Sequence, residues 1–138
     1  MIYLDSSALF KKYYQEIGTE SVWRLFAERR VLATASLSYA EVLSALNRKL
    51  SEHRIGREQY HAAADSLEHD WTELDVIPMR QEVLRQARIV LERHTLRAGD
   101  AVQLASALHL AASGPVGFAS ADRRLNQAAT AEGFILLL

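Results

Sequence analysis

The sequence has no cysteine. That excludes disulfide staples and thiolate metal sites, and it fits a reducing compartment such as the cytosol. Proline is scarce at two residues, and the six glycines are scattered, so no stretch reads as a linker. No apolar run approaches the ~18 residues that a membrane span needs. Met1 leads straight into Ile2-Tyr3-Leu4, with the expectation that no signal peptide precedes the fold. No internal period marks a repeat. There is no glycine-rich phosphate loop and no His/Ser/Asp spacing of a nucleophilic triad. Charge of one sign is missing too: 16 Lys and Arg stand against 17 Asp and Glu. Taken globally, that balance argues against a polyanion partner.

What is present is a chain of 138 residues, read as one domain over 1–138 with a sizeable buried core. Short apolar runs alternate with helical periodicity. Strands are expected at Ile2–Leu4, Val31–Thr34, Leu74–Ile77, Val116–Ala119 and Phe134–Leu138. Helices are expected at Ser6 or Ser7 onward through Tyr14, then Gly18–Arg29, Ser38–Leu50, Arg57–Trp71, Gln81–His94, Asp100 to before Gly114, and Asp122 to near Gly133. Fully apolar short strands separated by helices indicate a parallel sheet covered on both faces, an α/β fold.

Four acids fall where a strand or loop turns into a helix: Asp5, Glu41, Asp100 and Asp122. If the strands before Asp5 and Asp122 are parallel, both carboxylates emerge at the carboxyl edge of the sheet, where open α/β sheets bind ligands. A carboxylate cluster there suits a hard divalent cation such as Mg²⁺ or Mn²⁺. Each acid also has a plain structural explanation. Asp5, Asp100 and Asp122 sit at expected N-caps. Glu41 follows Ser38 by three residues, the spacing of a capping box. Setting four acids aside leaves 13 against 16 cations, so the rest of the chain carries +3, and phosphate contact follows local charge. Ser6 and Ser120 offer hydroxyls beside the acids. Lys11, Lys12, Arg97, Arg123 and Arg124 lie near them in sequence and are candidates for phosphate contact, or else ordinary solvated residues. His61, Asp65 and His69 share a helix face, but three ligands over two turns cannot reach one ion.

Taken in order, four segments resemble a known family. They are Asp5-Ser6-Ser7-Ala8-Leu9, Ser38-x-x-Glu41-Val42-x-x-Ala45-Leu46-x-Arg48, Leu96-x-Ala98-x-Asp100-Ala101-x-x-Leu104-Ala105-x-Ala107 and Ser120-Ala121-Asp122-Arg123-Arg124-Leu125. Together they are similar to the motifs of PIN-domain ribonucleases, above all the toxin subunits of VapBC toxin–antitoxin pairs. The resemblance implies a three-layer α/β/α fold around a five-stranded parallel sheet in order 3-2-1-4-5. It implies a Mg²⁺- or Mn²⁺-dependent endoribonuclease, a homodimer and a small protein antitoxin. By position it makes Asp5, Glu41 and Asp100 metal-proximal acids and Asp122 a fourth acid, with Ser6 and Ser120 as supporting hydroxyls. Of Tyr13, Tyr14, Trp23 and Phe26 on the first two helices, most are expected in the core, and an excess would form an apolar groove for a partner helix.

Two alternatives stand beside this one. The chain could be an RNA-processing nuclease of the same fold without an antitoxin. It could also be a non-enzymatic α/β regulatory module with acids at its sheet edge, although that leaves Glu41 without a role.

Overall fold

A computed structural model describes residues 1–28 and 30–138. The chain runs β1 (Ile2–Leu4), α1 (Ser6–Phe10), α2 (Thr19–Ala27), β2 (Leu32–Ala35), α3 (Leu37–Ser51), α4 (Arg57–Trp71), β3 (Asp75–Ile77), α5 (Gln81–Arg93), α6 (Ala98–Ala111), β4 (Gly117–Ala119), α7 (Arg123–Ala131) and β5 (Ile135–Leu136). The expected end of the second helix at Arg29 lies outside the described residues.

Among the described residues the strands form one five-stranded sheet in the order β3-β2-β1-β4-β5. Its pairings are parallel. β1 sits at the centre, and its three residues are fully buried. Successive strand residues point to opposite faces. Tyr3 accordingly joins a core with Phe118, Val83, Val90, Leu104 and Leu125. Ile2 and Leu4 join a second core with Leu9, Val42, Leu46 and Leu67. Helices therefore cover both faces, giving the three-layer α/β/α arrangement and explaining why the strands read as unbroken apolar runs.

Three local expectations change. Helix α6 begins at Ala98 with Arg97 in the cap position, so Asp100 lies inside the first turn and does not cap it. Helix α3 begins at Leu37 after Ser36. Ser38 is therefore already helical, and no capping box with Glu41 can form. The last strand is only Ile135–Leu136. It lies at the sheet edge, where Ile135 is exposed while Phe134 turns into the core.

Candidate active site

Strands β1 and β4 are in register, with Leu4 opposite Ala119. The next residues, Asp5 and Ser120, therefore leave the sheet side by side. The Asp5 amide extends the ladder by donating to the Ala119 carbonyl at 3.0 Å. The Asp5 side chain then turns back and caps α1, its Oδ1 accepting from the Ala8 amide at 2.8 Å. The Ser7 hydroxyl lies 2.8 and 2.9 Å from its two oxygens, and Ser120 Oγ donates to Oδ2 at 3.0 Å. These hydroxyls are themselves pinned by backbone amides, Ala121 to Ser7 at 2.9 Å and Asp122 to Ser120 at 3.0 Å. Burial raises the Asp5 carboxyl to about 6, against the lowering effect of the Ala8 amide, Ser7 and Ser120.

Glu41 projects from the second turn of α3. Its Oε2 accepts from Gln103 Nε2 at 2.7 Å. Its Oε1 lies so near Gly99 that a Cβ there would approach within 2.8 Å. Glycine at 99 leaves the space that this carboxylate fills. Asp122 caps α7 through the Leu125 amide at 2.8 Å. Asp100 is half-buried. Burial raises its carboxyl, as do the negative charges of Asp122 and Glu41, and Arg97 partly offsets them. The fold thus brings Glu41, Asp100 and Asp122 into electrostatic range of one another.

Glu41 and Asp122 open into a cleft of about 650 Å³, walled by Arg48, Lys49, Arg97 and Ser7. A smaller hollow of about 200 Å³ joins Asp100 and Asp122 to Arg97, Arg123 and Arg124. Among the described residues no three acids form a closed ligand group. Three of the four acids are drawn to partners of their own instead: Asp5 to Ser7 and Ser120, Glu41 to Gln103, Asp122 to Leu125.

Other expectations fall differently. Ser6 lines the cleft, and the hydroxyls that touch Asp5 are those of Ser7 and Ser120. Lys11 is buried, bonded to Glu16 at 2.6 Å and to the Ile17 carbonyl at 2.7 Å, so it ties down a loop. Lys12 pairs with Asp70 at 3.7 Å and lies over the Phe26 ring, joining the turn after α1 to α4. Tyr13, Tyr14 and Phe26 pack against the core, whereas Trp23 is exposed. Arg97, Arg123 and Arg124 do line the acidic hollow. Gln103 and Lys49 were missed. Gln103 bonds Tyr3, Ser38 and Glu41, all remote in sequence, so no local spacing marked it.

Residues 2–131 match the PIN domain family. This chain belongs to the PIN-domain family. The PIN domain here is 31% identical over 133 residues to ribonuclease VapC45 of Mycobacterium tuberculosis (strain CDC 1551 / Oshkosh), covering 96% of this chain and 92% of that relative. In fold it is similar to VapC20 of M. tuberculosis, described as a sarcin-ricin loop cleaving toxin, with TM-score 0.70, 21% identity, and 98% and 97% of the two chains covered. It is also similar to a chain of a toxin–antitoxin complex from Klebsiella pneumoniae, with TM-score 0.64, 14% identity and coverage of 88% and 87%. The parallel order 3-2-1-4-5 agrees with the order that the motif resemblance implied.

Proposed function

We propose that this PIN domain, acting as one unit over residues 1–138, is a divalent-metal-dependent endoribonuclease and the toxin of a type II toxin–antitoxin pair in the cytoplasm. The observation that carries the proposal is a cleft and an adjoining hollow, sharing Asp122 and Arg97, where Glu41, Asp100 and Asp122 meet a basic wall. The ribonuclease name of a 31% identical relative supports the activity, and the toxin–antitoxin complex among its fold neighbours supports a protein partner.

The donor set fits a hard cation: every candidate ligand offers oxygen, and mutual repulsion at Asp100 is what a bound cation relieves. Asp5, Glu41, Asp100 and Asp122 would hold Mg²⁺ or Mn²⁺, which when bound supplies a Lewis acid and an acidified water. The chain's own residues do the rest. Ser7 and Ser120 fix the Asp5 carboxylate, so little motion is needed when substrate arrives. Arg48, Lys49, Arg97, Arg123 and Arg124 present cations to the phosphates flanking the scissile bond. Their side of the cleft offsets the near-neutral charge of the whole chain. Hydrolysis with water in line with the 3′ oxygen leaves a 5′-phosphate and a 3′-hydroxyl.

The partner side is a groove of about 810 Å³ in which apolar Ile17, Leu136 and Leu138 lie beside polar Arg123, Asn126 and Gln127. Ile17 is 96% exposed, and such a groove suits an amphipathic antitoxin helix. A homodimer completes the proposed assembly. Among the described residues no helix is long and apolar enough to cross a membrane.

Purified protein is expected to cut RNA only with Mg²⁺ or Mn²⁺, to stop in EDTA, and to leave 5′-phosphate ends. Cyclic phosphate ends, or cleavage that persists in EDTA, would overturn the hydrolytic assignment. Expression of the chain alone is expected to arrest growth, with rescue by its small partner protein. Growth without arrest would favour an RNA-processing nuclease that has no antitoxin.

A further inference from the structure

Behind the cleft floor runs a chain of buried polar side chains in a region that is otherwise apolar. Gln103 is its hub. It is 1% exposed and sits on α6 among buried Ala101, Leu104, Ala105 and Ala107. An apolar residue there would simply complete the core. A buried amide costs about 1–3 kcal/mol unless its hydrogen bonds are met, and those of Gln103 are met. The Tyr3 hydroxyl, from the central strand, donates to Gln103 Oε1 at 2.6 Å. Gln103 Nε2 donates to Ser38 Oγ at 2.9 Å and to Glu41 Oε2 at 2.7 Å. Ser38 is in turn held by Thr34 Oγ1 at 2.8 Å.

Each contact fixes the next. An inverted amide would turn its carbonyl oxygen toward the Glu41 carboxylate and lose the bond from Tyr3 in its present form. The amide nitrogen therefore faces the cleft, and the Glu41 side chain is held from below by one oxygen. Its other oxygen lies over Gly99. We infer that Gln103 is a positioning residue for the carboxylate of Glu41, with Tyr3 setting the orientation of its amide. This rests on the proposed divalent-ion site. Groups that bond to a metal-ligating side chain orient it, and their loss typically lowers metal affinity or activity about 10–100-fold.

The test is Mn²⁺ binding to the full chain by calorimetry without RNA, beside thermal melting and the Mn²⁺ dependence of cleavage. Three variants are compared with wild type: Gln103→Met, Gln103→Asn, and the double Tyr3→Phe/Gln103→Met. The asparagine keeps an amide but stops one methylene short of Glu41. The double variant removes the phenol that Gln103→Met alone leaves unpartnered, so it is the one expected to fold with near wild-type Tm. In all three the Kd for Mn²⁺ should rise roughly tenfold or more. The Mn²⁺ needed for half-maximal cleavage should rise in step, and cleavage should largely recover at saturating metal. A purely structural role would lower Tm and leave Mn²⁺ affinity alone. Wild-type affinity in the double variant or in Gln103→Asn would overturn the inference while leaving the metal site standing. Absence of Mn²⁺ binding by the wild-type chain would overturn both.

Discussion

Asp5 and Asp100 both hold their protons more tightly than a free carboxyl, for different reasons. Asp5 is 2% exposed and surrounded by donors, and its carboxyl is raised by burial, with its neighbours opposing the shift. Asp100 is half-buried, and after burial it is raised by the charges of Asp122 and Glu41. One acid belongs to the frame and the other to the open cleft. A site can thus be built from a rigid corner and a rim whose carboxylates repel one another.

The contrast breaks most sharply under substitution. Asp5→Asn and Asp100→Asn should each lower cleavage by at least about a hundredfold, beyond the loss usual for groups that only orient a ligand. An RNA cleavage assay on matched, folded protein checks this. Near wild-type cutting by either variant would remove that acid from the site.

Stability should separate the same two variants. The Asp5 carboxyl moves from its ordinary 3.8 to about 6 on folding. Between those values the folded chain holds more protons than the unfolded one, so stability falls as pH rises through that window and stays reduced above it. Asp5→Asn removes this penalty. It should stabilise the metal-free protein by about 3 kcal/mol at pH 8 and by nothing near pH 3. Asp100→Asn should shift in the same direction by less, because water screens a half-exposed group. Melts in EDTA across pH measure both. A pH-independent Asp5→Asn difference would mean that the carboxyl is not raised by burial.

The cations repeat the pattern of a held and a free group. Lys11→Met breaks bonds to Glu16 and Ile17 and should cost roughly 1–2 kcal/mol of stability with little change in cleavage by the folded enzyme. Exposed Arg97→Ala should leave stability within about 0.5 kcal/mol and raise KM for RNA. Steady-state kinetics beside denaturant melts tell the two apart. An unchanged KM for Arg97→Ala would take it off the substrate path.

The smallest expected effect is at Gly99. Alanine favours a helix by up to about 1 kcal/mol, yet its Cβ would press on the Glu41 carboxylate. Gly99→Ala should keep or raise Tm while weakening cleavage. Unaltered cleavage would show that Glu41 has room to give way.

The sheet was legible because β1 and β4 are buried on both faces, so Ile2-Tyr3-Leu4 and Phe118-Ala119 carry the apolar run of a covered parallel strand. The strand order was legible through the motif resemblance. Details set by direction within a turn were not. Ser6 and Ser7 are neighbours in sequence, but a helix rotates about 100° per residue, and the second of them meets Asp5. Lys11 follows the end of α1, and nothing in its local sequence says that it folds under the loop to Glu16. Glu41 read as cap or as ligand until the helix start at Leu37 removed the first option. Gln103 carried no motif of its own, because its partners Tyr3 and Ser38 are 100 and 65 positions away.

Asp5 also seats helix α1 through the Ala8 amide, and Asp122 seats α7 through Leu125. At both places a carboxylate that caps a helix is also one of the acids of the proposed metal site. In a genetic screen for survivors of this protein's expression, alanine at position 5 or 122 would therefore mix two outcomes, a helix come loose and a catalyst disarmed. Asparagine retains a capping oxygen and separates them. For trapping an intact but inert form on its RNA or its partner, it is the substitution of choice at these two positions.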